Sequence, residues 1–104
     1  MKRYKIVITQ TAKADLRDAA RYITVELTSP DAAKKLVQDI KVEIKKLSAM
    51  PFRHEIASDP YLAHLGIRKI YVSNYVVLYI VSEDTQTVAV ARIGYMRRNW
   101  KELL

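Results

Sequence analysis

The sequence contains no cysteine, so disulfide bonds, thiol catalysis and thiolate metal sites are excluded. It also lacks a long apolar run, because the longest one, residues 75–81, is far too short to span a bilayer. The basic start at residues 1–5 is followed by a run of only three apolar residues, too few for a secretory signal. We therefore expect a soluble protein of the reducing cytoplasm without a membrane partner.

Several common site motifs are missing as well. The sequence shows no phosphate-binding loop, zinc ligand cluster, EF-hand or nucleophile elbow. Its two histidines, His54 and His64, fall in a stretch without clear periodicity and lack the helical spacing of metal ligands. We expect no metal and no cofactor, and we interpret both histidines as solvated loop residues.

What the chain does have is positive charge. With 18 Lys and Arg against 11 Asp and Glu, its net charge is +7 over 104 residues. Such a surplus is compatible with several partners, namely nucleic acid, the ribosome, an acidic protein or an anionic membrane, although a membrane is not expected here. A generic basic surface gives the same net charge. Residues 92–101 include four basic side chains and no acidic one. We expect the positive field to come from the C-terminal half.

The length corresponds to one domain, residues 1–104, and half of the residues (50%) are hydrophobic, which allows a packed core. Residues 5–9 are a β-branched run typical of a first strand. Thr11 is a plausible N-cap for an amphipathic helix that ends near Thr28. Ser29 followed by proline predicts the start of a second helix, which Pro51 terminates. So short a connection predicts a helical hairpin.

The C-terminal half changes from helical spacing to strands. Residues 67–72, 75–81 and 87–93 are rich in Val, Ile and Tyr and are separated by turns of hairpin length. Residues 52–65 lack a clear period and indicate a loop, with or without a short turn of helix. The middle run is apolar on both faces, which predicts a central strand in which Tyr75 and Tyr79 are sheet residues. The expected fold is α+β: an antiparallel sheet, in the order strand-helix-helix-strand-strand-strand, with the helical hairpin packed on one face.

The same strands and the tail after them carry cationic and phenolic side chains. RNA cleavage by its own 2′-hydroxyl needs a proton acceptor, donors that hold the phosphorane oxygens and an acid for the leaving oxygen. Arginine binds phosphate through two parallel hydrogen bonds. Tyr95 follows Gly94 at the end of the last strand, but a tyrosine has an ordinary pKa of about 10, so nearby arginines would have to stabilise its anion. The same side chains equally suit a docking surface for an acidic peptide or a protein–DNA complex.

The chain resembles the RelE/ParE family of toxins along nearly its whole length. The segments that carry the resemblance are residues 5–9 (KIVIT), 12–16 (AKADL), 22–23 (YI), Leu47 with Pro51, 65–69 (LGIRK), 74–81 (NYVVLYIV), 88–92 (VAVAR) and 95–100 (YMRRNW). The resemblance implies the fold derived above and a growth-inhibiting toxin neutralised by a cognate antitoxin. Antitoxins of this family wrap a flexible segment around the toxin.

The family divides by target into ribosome-dependent mRNA endoribonucleases of the RelE type and inhibitors of DNA gyrase of the ParE type. RelE-type nucleases have an arginine on the third strand where this chain has Val76, and one subgroup has a His-Tyr pair where this chain has Gly94 and Tyr95. The resemblance therefore favours gyrase inhibition, with ribosome-dependent cleavage and a non-toxic interaction domain as alternatives. If the chain is a nuclease, the candidate catalytic residues are Tyr95, Arg68 and Arg92. The candidate residues for binding a target or an antitoxin are Arg68, Lys69, Arg92, Tyr95, Arg97, Arg98, Trp100 and Lys101.

Overall fold

The structure, a computed structural model, describes residues 3–97 and 100. Within them the elements follow the predicted α+β order, and the expected loop contains a short third helix. They are β1 (Lys5–Ile8), α1 (Gln10–Val25), α2 (Pro30–Lys46), α3 (Pro60–His64), β2 (Arg68–Val72), β3 (Tyr75–Ser82) and β4 (Thr87–Tyr95). Among these helices, none combines the length and apolar character needed to cross a bilayer.

The four strands form one sheet in the order β1-β4-β3-β2. β2, β3 and β4 make the predicted antiparallel meander, and β3 lies inside the sheet as expected. β1, however, pairs parallel with β4, so the sheet is mixed rather than wholly antiparallel. The two strands are joined through α1, α2 and the meander, and a connection of that length permits parallel pairing. A strand of four residues contains no local signal for the direction of its partner.

The start of α1 fixes the helix to the sheet. Thr9, and not the predicted Thr11, is its N-cap: the Thr9 hydroxyl accepts a hydrogen bond from the Ala12 amide at 3.1 Å and donates to the Val90 carbonyl at 2.9 Å. The second helix begins as predicted at Ser29 and Pro30, but the Ser29 side chain makes no capping hydrogen bond. Proline at the first helical position supplies the helical φ by itself.

The main core lies between the sheet and the α1–α2 hairpin. Ala12 and Ile23 of α1 and Ile40 of α2 pack there against side chains from β2, β3 and β4. Tyr79 is fully buried (0% exposed), and its hydroxyl donates to the Pro51 carbonyl at 2.9 Å. Burial raises the pKa of Tyr79, which keeps the phenol protonated. The prediction that Tyr75 and Tyr79 are core or half-buried sheet residues is confirmed.

The opposite face of the sheet has a smaller core that the sequence analysis did not anticipate. Val76 and Leu78 alternate with Val77 and Tyr79 and therefore point to this second face. They are covered by Ala57, Leu62 of α3, Ile67 and Trp100. Both faces of β3 are thus buried, which explains why this strand is apolar without alternation.

Candidate functional site

Arg92 of β4 forms a bidentate salt bridge with Asp15 of α1. Its Nε lies 2.8 Å from Asp15 Oδ2, and its Nη2 lies 3.0 Å from Asp15 Oδ1. Only 15% and 9% of the two side chains remain exposed. The hydrogen bond that Arg92 donates to Asp15 raises the pKa of Arg92 against the opposing effect of burial. The pair therefore ties α1 to the end of the sheet, and its carboxylate neutralises the guanidinium.

The position of Asp15 follows from how the sheet edge is closed. β1 stops pairing with β4 at Ile8 opposite Val90, so beyond this point β4 has β3 on one side and no strand on the other. α1 takes the place of the strand: Asp15 Oδ2 accepts the Ile93 amide at 3.0 Å. One carboxylate thus satisfies both a backbone donor and a cation.

Arg92 and Trp100 lie together on the second face of the sheet. The Arg92 guanidinium is 5.8 Å from the centroid of the Trp100 ring, and Trp100 is 7% exposed. Lys69 pairs with Leu78, which also pairs with Arg92, so all three belong to one row across that face. Lys69 Nζ lies 5.5 Å from the ring centroid of Tyr71. In this structure Trp100 is a core residue and Arg92 a bridging residue.

Arg68 belongs to a different part of the molecule. Its Nη1 donates to the His54 carbonyl at 2.7 Å, and its guanidinium is 5.0 Å from the Phe52 ring centroid. Its partner across the strands is Tyr79, so it lies on the face that the helical hairpin covers. Burial, followed by the positive charge of Arg53, lowers the pKa of His54.

Tyr95 lies at the other end of that face. It pairs with Tyr75, four residues along β3 from the partner of Arg68, a spacing of roughly 13 Å along the strand. The rings of Tyr95 and Tyr75 meet edge to face at 6.2 Å, and Tyr95 is 43% exposed. Arg97 follows and is exposed. The predicted catalytic residues Tyr95, Arg68 and Arg92 are therefore not brought together, and Arg98 and Lys101 lie outside the described residues.

Tyr95 faces an open cleft of about 760 Å³ at the tip of the helical hairpin. The cleft runs from α1 over the helix–helix turn to the β2–β3 turn and the end of β4. It is lined by Asp15, Asp18, Ala19, Tyr22, Ile23, Leu27, Ala32, Leu36, Ser73, Asn74, Tyr75, Ile93, Gly94 and Tyr95. Its described lining is apolar and aromatic, and its ionisable groups apart from tyrosine are the two aspartates. A phosphate would find no described cation there.

Among the phenols of the cleft, the surroundings of Tyr75 oppose loss of its proton. Burial, and then the neighbouring hydroxyls of Tyr22 and Tyr95, raise the pKa of Tyr75. A phenol with a raised pKa stays protonated at neutral pH, so it donates hydrogen bonds instead of accepting a proton. The described surroundings of Tyr95 are thus different from the arginine cluster that a catalytic tyrosine needs.

α1 contributes three residues to this region that were not among the predicted site residues, namely Asp15, Asp18 and Tyr22. Helical geometry separates the charges of α1 onto two flanks, of which the acidic one faces the cleft. A basic flank of α1, made of Lys13, Arg17 and Arg21 at a spacing of four, is exposed and does not line the cleft. The spacing of these residues along the helix was the sequence signal that separates the basic flank from the acidic one.

The comparisons with known proteins agree with this fold. The sequence model of the ParE toxin of type II toxin–antitoxin systems (parDE) matches residues 6–100. The chain belongs to the ParE toxin family. No curated protein matches its sequence significantly.

Solved structures of related toxins have the same architecture. One is from a chromosomal ParDE toxin–antitoxin system of P. aeruginosa, with a TM-score of 0.72 and 23% identity, covering 88% of this chain and 95% of that one. Another is from the RelBE2 toxin–antitoxin complex of Mycobacterium tuberculosis, with a TM-score of 0.61 and 21% identity, covering 94% and 97%. A third is from the intact RelBE complex of E. coli, with a TM-score of 0.64 and 16% identity, covering 91% and 99%. The toxin therefore has the RelE/ParE fold, and these likenesses concern the fold alone.

Proposed function

We propose that this toxin stops growth by docking on DNA gyrase, as the resemblance to ParE-type toxins implies, and that it does not cleave RNA. The observation that carries the proposal is the pairing of Arg92 with Asp15. A nuclease needs guanidinium groups that are open to the phosphorane oxygens. Here the Asp15 carboxylate already engages Nε and Nη2 of Arg92, and the ParE family match over residues 6–100 also supports docking.

The position of Val76 also supports docking over cleavage. RelE-type nucleases carry an arginine at this place, whereas Val76 is 1% exposed and packs in the core of the second face. Arg68 does not replace the missing charge near Tyr95, because it lies at the opposite end of the sheet and binds the His54 carbonyl. The charges that remain open include Arg97 and the basic flank of α1, which suit an anionic surface such as a gyrase–DNA complex.

We further propose a cognate antitoxin as the natural partner. The solved relatives include toxin–antitoxin complexes of ParDE and RelBE type. An amphipathic antitoxin segment would place its apolar side on exposed apolar residues of the toxin, such as Met96, and pair its carboxylates with arginines of the C-terminal half, such as Arg97. Neutralisation then follows because the bound antitoxin competes with the target for the same cations.

A supercoiling assay tests the docking proposal. Purified gyrase, relaxed plasmid and ATP are incubated with the toxin, and detergent with protease then releases any DNA that was trapped in a cleaved state. We expect inhibited supercoiling and linear plasmid. Tyr95→Phe should leave this inhibition intact, since the ring and its packing on Tyr75 are retained and no proton transfer is needed.

The RelE-type alternative keeps one observation in its favour, namely that Tyr95 is exposed at the end of β4 and is followed by the exposed Arg97. It predicts codon-positioned mRNA breaks after induction, lost in Tyr95→Phe. Intact plasmid in the gyrase assay, together with such breaks in cells, would reject the docking proposal in favour of cleavage.

A further inference from the structure

The cleft at the tip of the hairpin differs in charge from the rest of the molecule. The chain has a net charge of +7, yet the described charged residues of the cleft are Asp15 and Asp18. Asp15 is engaged by Arg92 and the Ile93 amide. Asp18 is exposed and belongs to none of the ion pairs found among residues 3–97 and 100. The free carboxylate of the cleft is therefore that of Asp18.

Aromatic and aliphatic side chains form the walls around this carboxylate. Tyr22 is 53% exposed, Leu27 is 55% exposed and Tyr95 is 43% exposed, all large apolar surfaces left open to solvent. Exposed apolar groups that converge on one concave surface are typical of a binding site, whereas scattered ones are not. The faces of tyrosine rings attract cations, arginine most often, so the walls and the carboxylate favour the same charge.

We infer that this cleft is a docking site for a partner protein segment in which an arginine is flanked by apolar side chains. The guanidinium pairs with Asp18 and rests on a tyrosine ring, while the apolar neighbours cover Leu27 and the rest of the aromatic wall. An acidic segment is disfavoured, because its carboxylate would meet Asp18 without a described cation in the lining. Docking in this cleft involves no catalytic step, so its occupant can be tested separately from the toxin's target.

The inference adds a second recognition element of opposite sign to that of the basic residues. Acidic segments bind the arginines and lysines elsewhere on the toxin, whereas the cleft selects a basic one. A partner that contacts both must carry its charges in a matching order along its chain. Such a pattern of charges discriminates against partners that are merely acidic.

An NMR titration of the whole toxin with defined peptides tests the inference. Three ten-residue peptides are used, identical except for a central arginine, glutamine or glutamate between two leucines. With the arginine peptide we expect amide shifts concentrated at Asp18, Tyr22, Asn74 and Tyr95. Affinity should fall in the order arginine, glutamine, glutamate.

Two substitutions give the matched comparison. Asp18→Asn should weaken binding of the arginine peptide by about three- to fivefold, the upper part of the range of an exposed ion pair, and leave the glutamine peptide unaffected. Tyr22→Ala should weaken both peptides. Asp39→Asn, which removes an exposed acid of α2 outside the cleft, is the control and should change neither.

Any of three results overturns the inference. Equal affinity for the arginine and glutamate peptides would show that charge selects nothing in the cleft. Shifts from the arginine peptide that map outside the cleft would place its binding elsewhere. An Asp18→Asn variant that binds the arginine peptide as tightly as the parent would remove the carboxylate from recognition. Gyrase inhibition measured on the same preparations stays a separate readout, so its loss is distinguishable from failure here.

Discussion

Asp15→Ala is the substitution that most directly tests the described architecture. The Asp15 carboxylate accepts from Arg92 Nε at 2.8 Å, from Arg92 Nη2 at 3.0 Å and from the Ile93 amide at 3.0 Å. Removing it leaves a cation in a site where 15% of its side chain is exposed, and an amide without its acceptor. Both consequences lower the free energy of unfolding.

The magnitude follows from burial. Breaking a buried ion pair by removing one partner costs about 3–5 kcal/mol, because the remaining charge stays desolvated. The residual exposure of Arg92 and its contact with the Trp100 ring, at 5.8 Å, place the expected loss at the lower end, about 3 kcal/mol. For a domain of this size we expect the midpoint of thermal unfolding to fall by more than 10 °C, roughly.

Urea unfolding of Asp15→Ala, Arg92→Ala and the double variant measures the coupling between the two side chains. The double variant should be more stable than the sum of the single losses predicts, by about 2 kcal/mol, because neither partner is then left alone. As a control, Asp39→Ala breaks an exposed pair with Lys35 and should cost less than about 0.5 kcal/mol. Losses at Asp15 and Arg92 that add within about 0.5 kcal/mol would refute the reasoning.

Three further predictions concern other parts of the chain. Tyr79→Phe should lower the free energy of unfolding by about 1 kcal/mol at neutral pH, because the Pro51 carbonyl loses its donor. Since burial raises the pKa of Tyr79, the unfolded state loses this proton first, so stability should fall above about pH 10 and fall less in Tyr79→Phe. The pKa of His54 is lowered, so the unfolded state binds a proton first as the pH falls. Urea unfolding should therefore show a free energy of unfolding that decreases below about pH 6.5, and decreases less in His54→Gln. Replacing Arg97 and Arg98 by glutamate should weaken antitoxin binding in calorimetry at least tenfold, roughly, and unchanged affinity would place the antitoxin elsewhere.

The helices and the meander were predictable because their signals are local. Apolar spacing located both long helices, Pro30 marked the start of α2, and turn residues separated three of the strands. The boundary of α1 was less accurate, since Thr9 and Thr11 are both good caps by residue type. What distinguishes them is the bond from Thr9 to the Val90 carbonyl, a contact between residues distant in the sequence.

The candidate site was harder to predict because one irregularity in the sheet reverses the direction of its side chains. Tyr79 pairs with Val90 and Leu78 with Arg92, so one extra residue of β4 lies between these pairs. Strict alternation from Val90 would place Arg92 on the face covered by the hairpin. The bulge instead places Arg92 on the second face and Ile93 on the covered one. Sequence periodicity contains no signal for the bulge, so the face of the sheet on which Arg92 lies could not be predicted.

The two aspartates of α1 show how one helix separates stability from recognition. Asp15 and Asp18 are one turn apart and line the same cleft, yet Asp15 is bound to Arg92 and the sheet edge, whereas Asp18 is exposed. Substitution of Asp15 must therefore change folding and every function that depends on it. Substitution of Asp18 alters the charge of the cleft while the fold keeps its contacts, since no described ion pair includes it. A loss of binding in Asp18→Asn with unchanged unfolding therefore reports on recognition alone, which no substitution at Asp15 can do.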